Sequence, residues 1–367
     1  MSDSIPAVPA AVDPIRGTAS GRAPVPLSVL DLATVTSGSD AGAALRITTE
    51  VARTADRLGY HRLWVAEHHS MPGIASSAPA VLLAHLGAVT GRIRLGSGGV
   101  MLPNHAPLVI AEQFGTLEAL HPGRIDLGLG RAPGSDRATA AALRRNGDPG
   151  ADDFDVQLDE LVSFLDDSYP PHHPYARIHA VPGVHQSTVP GGVPGQGRPP
   201  VWLLGSSGYS ARLAGELGLP FAFAHHFAAQ NTLPALELYR QCFTPSSVLD
   251  SPYAMIAASV VACETPQEAH GVVRAMGLAM LRVRTGRPGL MPSPQEAVEH
   301  SYTAAEAQFV DAWSSNVVYG DPAQVRDGID DLVDRTGVDE LMLAANIPGH
   351  DARVRSLELI AGEYRFG

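Results

Sequence analysis

From residue 26 onward the chain alternates short apolar runs with longer amphipathic segments, and it does so eight times. A short run apolar on both faces reads as a buried parallel strand, and a segment with apolar residues every three or four positions reads as a covering helix. Strands are expected at 27–32, 62–66, 93–102, 125–129, 201–204, 220–224, 254–263 and 340–345. Helices are expected at 41–58, 79–89, 108–120, 153–165, 207–217, 233–242, 266–284 and 322–336, with 352–364 closing the chain. Eight such pairs favour an α/β fold of the closed (β/α)8 TIM barrel type over an open doubly wound sheet. A length of 367 residues suits one barrel domain over 25–367, behind a flexible tail at 1–24 rich in Ala, Pro and Ser.

Local punctuation supports two of the helix boundaries. Asp321 is an N-cap acceptor directly before Pro322, whose missing N–H costs nothing at a first helical position. Gly59 after Leu58 accepts the left-handed conformation that ends a helix. Two insertions interrupt the repeat, one after helix 4 at 170–200 and one in the connection after strand 7 at 286–319. The second is either a lid over the barrel mouth or a packed surface excursion.

Charge and composition exclude several classes of function. The net charge is −12 and every one of the 26 basic residues is arginine. An acidic chain has no broad basic surface for nucleic acid or anionic membrane. Without lysine there is no Schiff base, no pyridoxal phosphate attachment and no P-loop amine. Cys242 and Cys263 are isolated, which suits a reducing cytoplasm and no structural zinc site. No run reaches the roughly eighteen apolar residues of a membrane span, and the first residues lack the apolar core of a signal peptide.

Chemistry concentrates at the carboxyl ends of the expected strands. Trp64-Val65-Ala66 gives way to Glu67-His68-His69, and since strand side chains alternate in direction, at most one of the two histidines points into a barrel. Gly98 and Gly99 stand inside a strand that should be buried, which fits either a flat ring against bare backbone or a bulge. Arg131 follows strand 4 among small residues, as an anion fork would. Gly205-Ser206-Ser207-Gly208 leads from strand 5 into a helix whose first N–H groups suit a phosphate. His225-His226 follows strand 6, but with no HxH pair and no lysine the chain is a poor match to metal-dependent barrel hydrolases, and no metal is expected.

Taken in order, the segments 63–69, GGVMLPNHAP at 98–107, GRIDLGLGRAPG at 123–134 and PVWLLGSS at 200–207 resemble signatures of the bacterial luciferase-like superfamily of flavin-dependent monooxygenases. Its alkanal-monooxygenase-like branch, with actinobacterial members that tailor aromatic polyketides, is the most similar. The resemblance implies a two-component system in which a separate flavin reductase delivers reduced FMN to a homodimeric, cytoplasmic enzyme. O2 is then the co-substrate, captured as a C4a-peroxyflavin that oxygenates an aldehyde, ketone or aromatic substrate. By motif, His68 would serve as base with Glu67 beside it, and His225 would approach the substrate. Gly98-Gly99 would be the family's cis peptide beside the ring, with Val100 adjoining. Arg131, Gly205, Ser206, Ser207, Gly208 and Tyr209 would hold the phosphate. The family's reactive cysteine position falls on Gly130. Phe223, His226, Met291 and Trp313 are possible walls of the substrate pocket. Deazaflavin-dependent hydride transfer and a non-catalytic flavin-binding subunit are the alternative readings.

Overall fold

A computed structural model describes residues 15–132, 136–143, 153–186, 198–344 and 346–366. Its strands are β1 (Leu27–Asp31), β2 (Arg62–Val65), β3 (Arg94–Ser97), β4 (Val100–Met101), β5 (Ile125–Gly130), β6 (Val201–Gly205), β7 (Phe221–Phe223), β8 (Ala254–Ala262), β9 (Val318–Gly320) and β10 (Glu340–Ala344). All pairings between them are parallel. The order β10-β1-β2-β3-β5-β6-β7-β8, closed by pairing of β8 with β10, is a (β/α)8 barrel. Residues that face the helices, such as Leu27, Val29, Leu63, Val65, Leu95 and Leu127, join the main apolar core outside the barrel wall. Among the described residues, no helix is long and apolar enough to cross a membrane.

The expected third strand is divided. β3 pairs with β5 through Gly96↔Asp126, and β4 resumes at Val100↔Leu129, so three residues of one strand stand opposite two of the other. The ladder is bridged there by Ser97, whose Oγ donates to the Gly128 carbonyl at 2.8 Å and accepts from the Gly128 N–H at 3.0 Å. The Gly98–Gly99 peptide bond within this bulge is cis. Glycine is required on both sides: a Cβ on Gly128 would lie 2.1 Å from the Ser97 carbonyl oxygen, and one on Gly99 would lie 2.8 Å from that of Gly128.

The barrel interior is filled from its amino-terminal end. Arg62, Asp126 and Glu340 are fully buried there, with two Arg62–Glu340 contacts of 2.7 and 2.9 Å and an Arg62–Asp126 contact of 2.8 Å. Ser28 and Tyr253 donate to Glu340, and Arg94 and Trp64 donate to Asp126. Above this cluster Trp64 and Trp202 meet edge to face at 5.3 Å, and a Cβ on Gly96 would fall 2.4 Å from the Trp64 indole nitrogen. The lower barrel is therefore solid, and open space remains only toward the carboxyl ends of the strands.

One expectation needs correction and one open choice is decided. Residues 15–24 do not behave as a tail: Ile15 is buried against the barrel interior, its carbonyl accepts from Arg62 at 2.7 Å, and Arg22 N–H donates to the Tyr364 carbonyl. A hydrophobic side chain is needed to close the barrel floor, and the stretch before β1 supplies it. Residues 1–14 lie outside the described residues. The insertion at 286–319 is a packed excursion: its helices Pro294–Glu299 and Ala304–Ser314 lie against the helix Pro266–Arg284, and β9 extends β8. Met291 is tied to the loop after β1 through backbone bonds with Val35 and Ser37. Two helices in this insertion, Arg137–Leu143 and the single turn His225–Ala228 were not expected from the sequence.

Candidate active site

A cavity of about 270 Å³ opens at the carboxyl ends of the barrel strands. Leu30, Leu32, Trp64, Leu204, Met255 and Met342 make its apolar depth. Polar side chains among its lining residues are few: His68, Arg131, Ser206, Ser207, Ser210 and His226. Apolar walls with a small number of convergent polar groups are the usual make-up of a small-molecule site.

The alternation of β2 continues past the end of the strand and sorts the Glu-His-His triplet. Trp64, Ala66 and His68 line the cavity, while Glu67 and His69 face the other way and bond to each other at 2.8 Å. Glu67 is fully buried, accepts also from His105 Nε2 at 2.8 Å and from the Met101 N–H at 3.0 Å, and so ties β4 to β2. Burial alone would raise its carboxyl, but the bonds from His105, His69 and Met101 hold it below the usual value, and it stays ionised. It does not reach the cavity and acts through what it holds in place.

His68 Nδ1 is buried and makes no hydrogen bond. A buried polar atom without a partner costs about 1–3 kcal/mol, a loss that a bond to a ligand would recover. Burial lowers the His68 imidazole below the ordinary histidine value, against the pull of Glu67, which favours the neutral base.

Across the site the structure distinguishes His225 from His226. Because both sit on a helical turn that starts immediately after β7, they point in different directions. His225 turns to Thr232 at 2.8 Å and does not line the cavity. His226 does line it, bonds through Nδ1 to the Ala257 carbonyl at 2.8 Å, and is pushed down by burial to about 4. The sequence signal for His226 over its neighbour was absent, since a strand-like alternation and a helical turn assign the pair differently. Phe223 is a wall of the cavity, whereas Met291 and Trp313 pack in a separate apolar cluster beneath the insertion.

The two phosphate-type signals meet. Ser207 is the N-cap of the helix Gly208–Glu216 and spends no side-chain bond on capping it. Arg131, from the end of β5, stacks on the ring of Tyr209 in the first turn of that helix, 4.0 Å from the centroid. Tyr209 is fixed in turn by a 2.5 Å bond to Asp155. Gly205, Ser206 and Ser207 line the cavity beside Arg131, whereas Val100, Gly208 and Tyr209 do not line it. Gly130 adjoins Met101, whose sulfur would be 2.8 Å from an added Cβ. Pro133 and Gly134 of the expected motif lie outside the described residues.

The family model described as luciferase-like monooxygenase matches residues 25–340. The chain belongs to the luciferase-like monooxygenase family. A luciferase-like monooxygenase of Escherichia coli (strain K12) is 45% identical over 335 residues, spanning 91% of this chain and 96% of that protein. The crystal structure of apo-MsnO8 superposes with a TM-score of 0.79 at 36% identity, covering 94% of this chain and 98% of its own. More distant structures share the fold alone. The oxygenating constituent of 3,6-diketocamphane monooxygenase from Pseudomonas putida, in complex with FMN, has a TM-score of 0.68 at 20% identity and covers 93% and 98% of the two chains. The coenzyme F420 dependent tetrahydromethanopterin reductase of Methanopyrus kandleri has 0.61 at 16%, covering 92% and 98%.

The half-buried His61 and His226 are expected to make stability depend on pH. His61 accepts from the Arg62 guanidinium at Nε2, and burial first, then that cation, lowers it to about 4 from 6.5. His226 falls to a similar value. Both are depressed on folding, so the unfolded chain binds the extra protons, and stability present above pH 6.5 is lost as pH falls toward 4. Each histidine contributes a slope of at most about 1.4 kcal/mol per pH unit. Thermal melts between pH 7 and 4 are expected to show a falling midpoint, and a flat profile would show that these imidazoles are protonated in the fold.

Proposed function

We propose that this protein is a flavin-dependent monooxygenase that takes reduced FMN and O2 and oxygenates a small organic substrate: an aldehyde, a ketone or a polyketide-like aromatic. The observation that carries the reading is the meeting, on one cavity, of the unpartnered His68 Nδ1, the bare backbone of Gly98 and Gly99, and Arg131 beside a helix N-terminus.

These residues fit FMN. Arg131, Ser206, Ser207 and the first N–H groups of the helix Gly208–Glu216 would hold the phosphate. Gly98, Gly99 and Gly130 would leave room for a flat ring against the backbone. Bound reduced flavin supplies the electrons for oxygen activation. The protein excludes water with Leu30, Leu204, Phe223, Met255 and Met342, and holds a proton acceptor at His68 Nδ1. His226, its Nδ1 proton committed to Ala257, keeps Nε2 as an acceptor. Glu67 serves this site by positioning β4. Delivery of reduced FMN by a separate reductase, self-association as a homodimer and a cytoplasmic location belong to the same proposal. The free state of both cysteines agrees with the last.

Rapid mixing of the protein and anaerobically reduced FMN with oxygenated buffer tests the reading. A long-lived absorbance that differs from reduced and oxidised FMN, and that requires the protein, is expected. Reoxidation at the rate of free flavin would turn the assignment toward F420-dependent hydride transfer or a non-catalytic flavin-binding subunit. Arg131→Ala should weaken FMN binding by about 10- to 100-fold, the value of a charge-assisted bond, and leave riboflavin binding nearly unchanged. Equal losses for the two ligands in fluorescence titrations would remove the phosphate role.

A further inference from the structure

Between the helix Phe154–Asp166 and β6 the chain makes an excursion, described as far as residue 186. This stretch carries His172, His173, His179 and His185, four of the 15 histidines in the protein. As a connection from a helix to the following strand it runs on the amino-terminal side of the barrel, opposite the cavity, where residues serve stability more than chemistry. It lies on the helix Pro107–Leu120: the Val181 N–H donates to Glu112, and the Pro182 carbonyl sits so close to Gly115 that an added Cβ would be 2.2 Å away. None of its described residues lines the cavity.

His173 has a structural task here, stacking on Tyr169 at 4.4 Å and accepting from the Tyr175 N–H. His179 and His185 are differently placed. Their ring centroids are 5.4 Å apart, His179 Nδ1 is 2.6 Å from Asp167 Oδ1, and ligand atoms of Asp167, His179 and His185 all lie within 4.8 Å of one another. Metal–ligand bonds of about 2.0–2.2 Å put donor atoms roughly 3–3.5 Å apart. Rotation of these exposed side chains suffices to close the remaining distance. Asp166 and Asp167 also stand at the carboxyl end of a helix, where the dipole disfavours negative charge. Arg198 neutralises Asp166, while the ion-pair partner of Asp167 among the described residues is His179. A cation at Asp167 would relieve that repulsion.

We propose that Asp167, His179 and His185 bind one divalent transition-metal ion, with water completing its coordination, as a clasp on this excursion. Two imidazoles and one carboxylate select a zinc-like ion over calcium or magnesium, which prefer oxygen alone. The clasp closes the chain from residue 167 to residue 185 and is separate from the flavin site.

Cobalt(II) titrated into the full-length protein tests this directly. Visible d–d bands that saturate at one equivalent and are displaced by zinc(II) are expected, and the combined variant His179→Ala/His185→Ala should bind at least about tenfold more weakly. Zinc should raise the thermal midpoint of the wild type and not that of the variant. Asp167→Asn, which keeps the shape of the side chain, provides a second ligand-deficient protein should the alanines perturb folding, and far-UV circular dichroism without metal verifies the fold of each. Absence of saturable bands in the wild type overturns the proposal, and so do equal binding and equal midpoint shifts in wild type and variants, which would assign the metal to other groups.

Discussion

Arg62→Ala should remove a large fraction of the protein's folding stability. The guanidinium is fully buried and is the shared counter-charge of Glu340 and Asp126, besides binding the Ile15 carbonyl. Removing one partner of a buried ion pair costs about 3–5 kcal/mol, because the remaining charge has neither water nor a partner. Asp126 retains Arg94 and Trp64, whereas among the described residues Glu340 retains the Ser28 and Tyr253 hydroxyls and no cation. Against a total stability of about 5–15 kcal/mol, such a loss consumes a large fraction. The double variant Arg62→Leu/Glu340→Leu removes charge and counter-charge together and should be markedly more stable than the single one. Denaturant midpoints decide this; equal destabilisation of both variants would mean that packing, not charge, sets the cost.

His68→Ala should lower product formation by about 10²- to 10⁴-fold, the usual contribution of a positioned acid–base group. Flavin binding should persist, since Arg131, Ser206 and Ser207, the proposed phosphate ligands, come from other parts of the barrel. Turnover of a reduced-FMN-dependent reaction, measured beside an FMN titration, separates the two effects. Unchanged turnover would remove His68 from the chemistry. In the wild type the acid limb of the rate profile should fall below the ordinary histidine range, because burial lowers this imidazole and protonation would consume the acceptor.

Much of the barrel was legible because its periodicity is a local property. Helices 79–89, 266–284 and 322–336 have the boundaries expected from the sequence, because the helical period acts within a few positions. At Asp321 the capping box with Gln324 is formed, and Gly59 adopts the left-handed cap. The triplet at the end of β2 could be narrowed to one inward histidine by the same kind of rule, an alternation of two.

Other features depend on what distant segments bring. That Glu67 meets His105, that Arg131 stacks on Tyr209 and that His226 and not His225 reaches the cavity follow from the order and stagger of strands around the barrel. The burial of Ile15 and the seating of Met291 outside the cavity lining arise likewise from contacts between residues far apart in the chain. By itself, then, the sequence determined the strand and helix repeat, the absence of amine chemistry and the places where ionisable residues end apolar runs, since each is set by residue type and spacing. Only the tertiary structure decided which of those residues share a cavity, because closure of the barrel converts sequence positions more than 100 residues apart into neighbours, and no local preference encodes that distance.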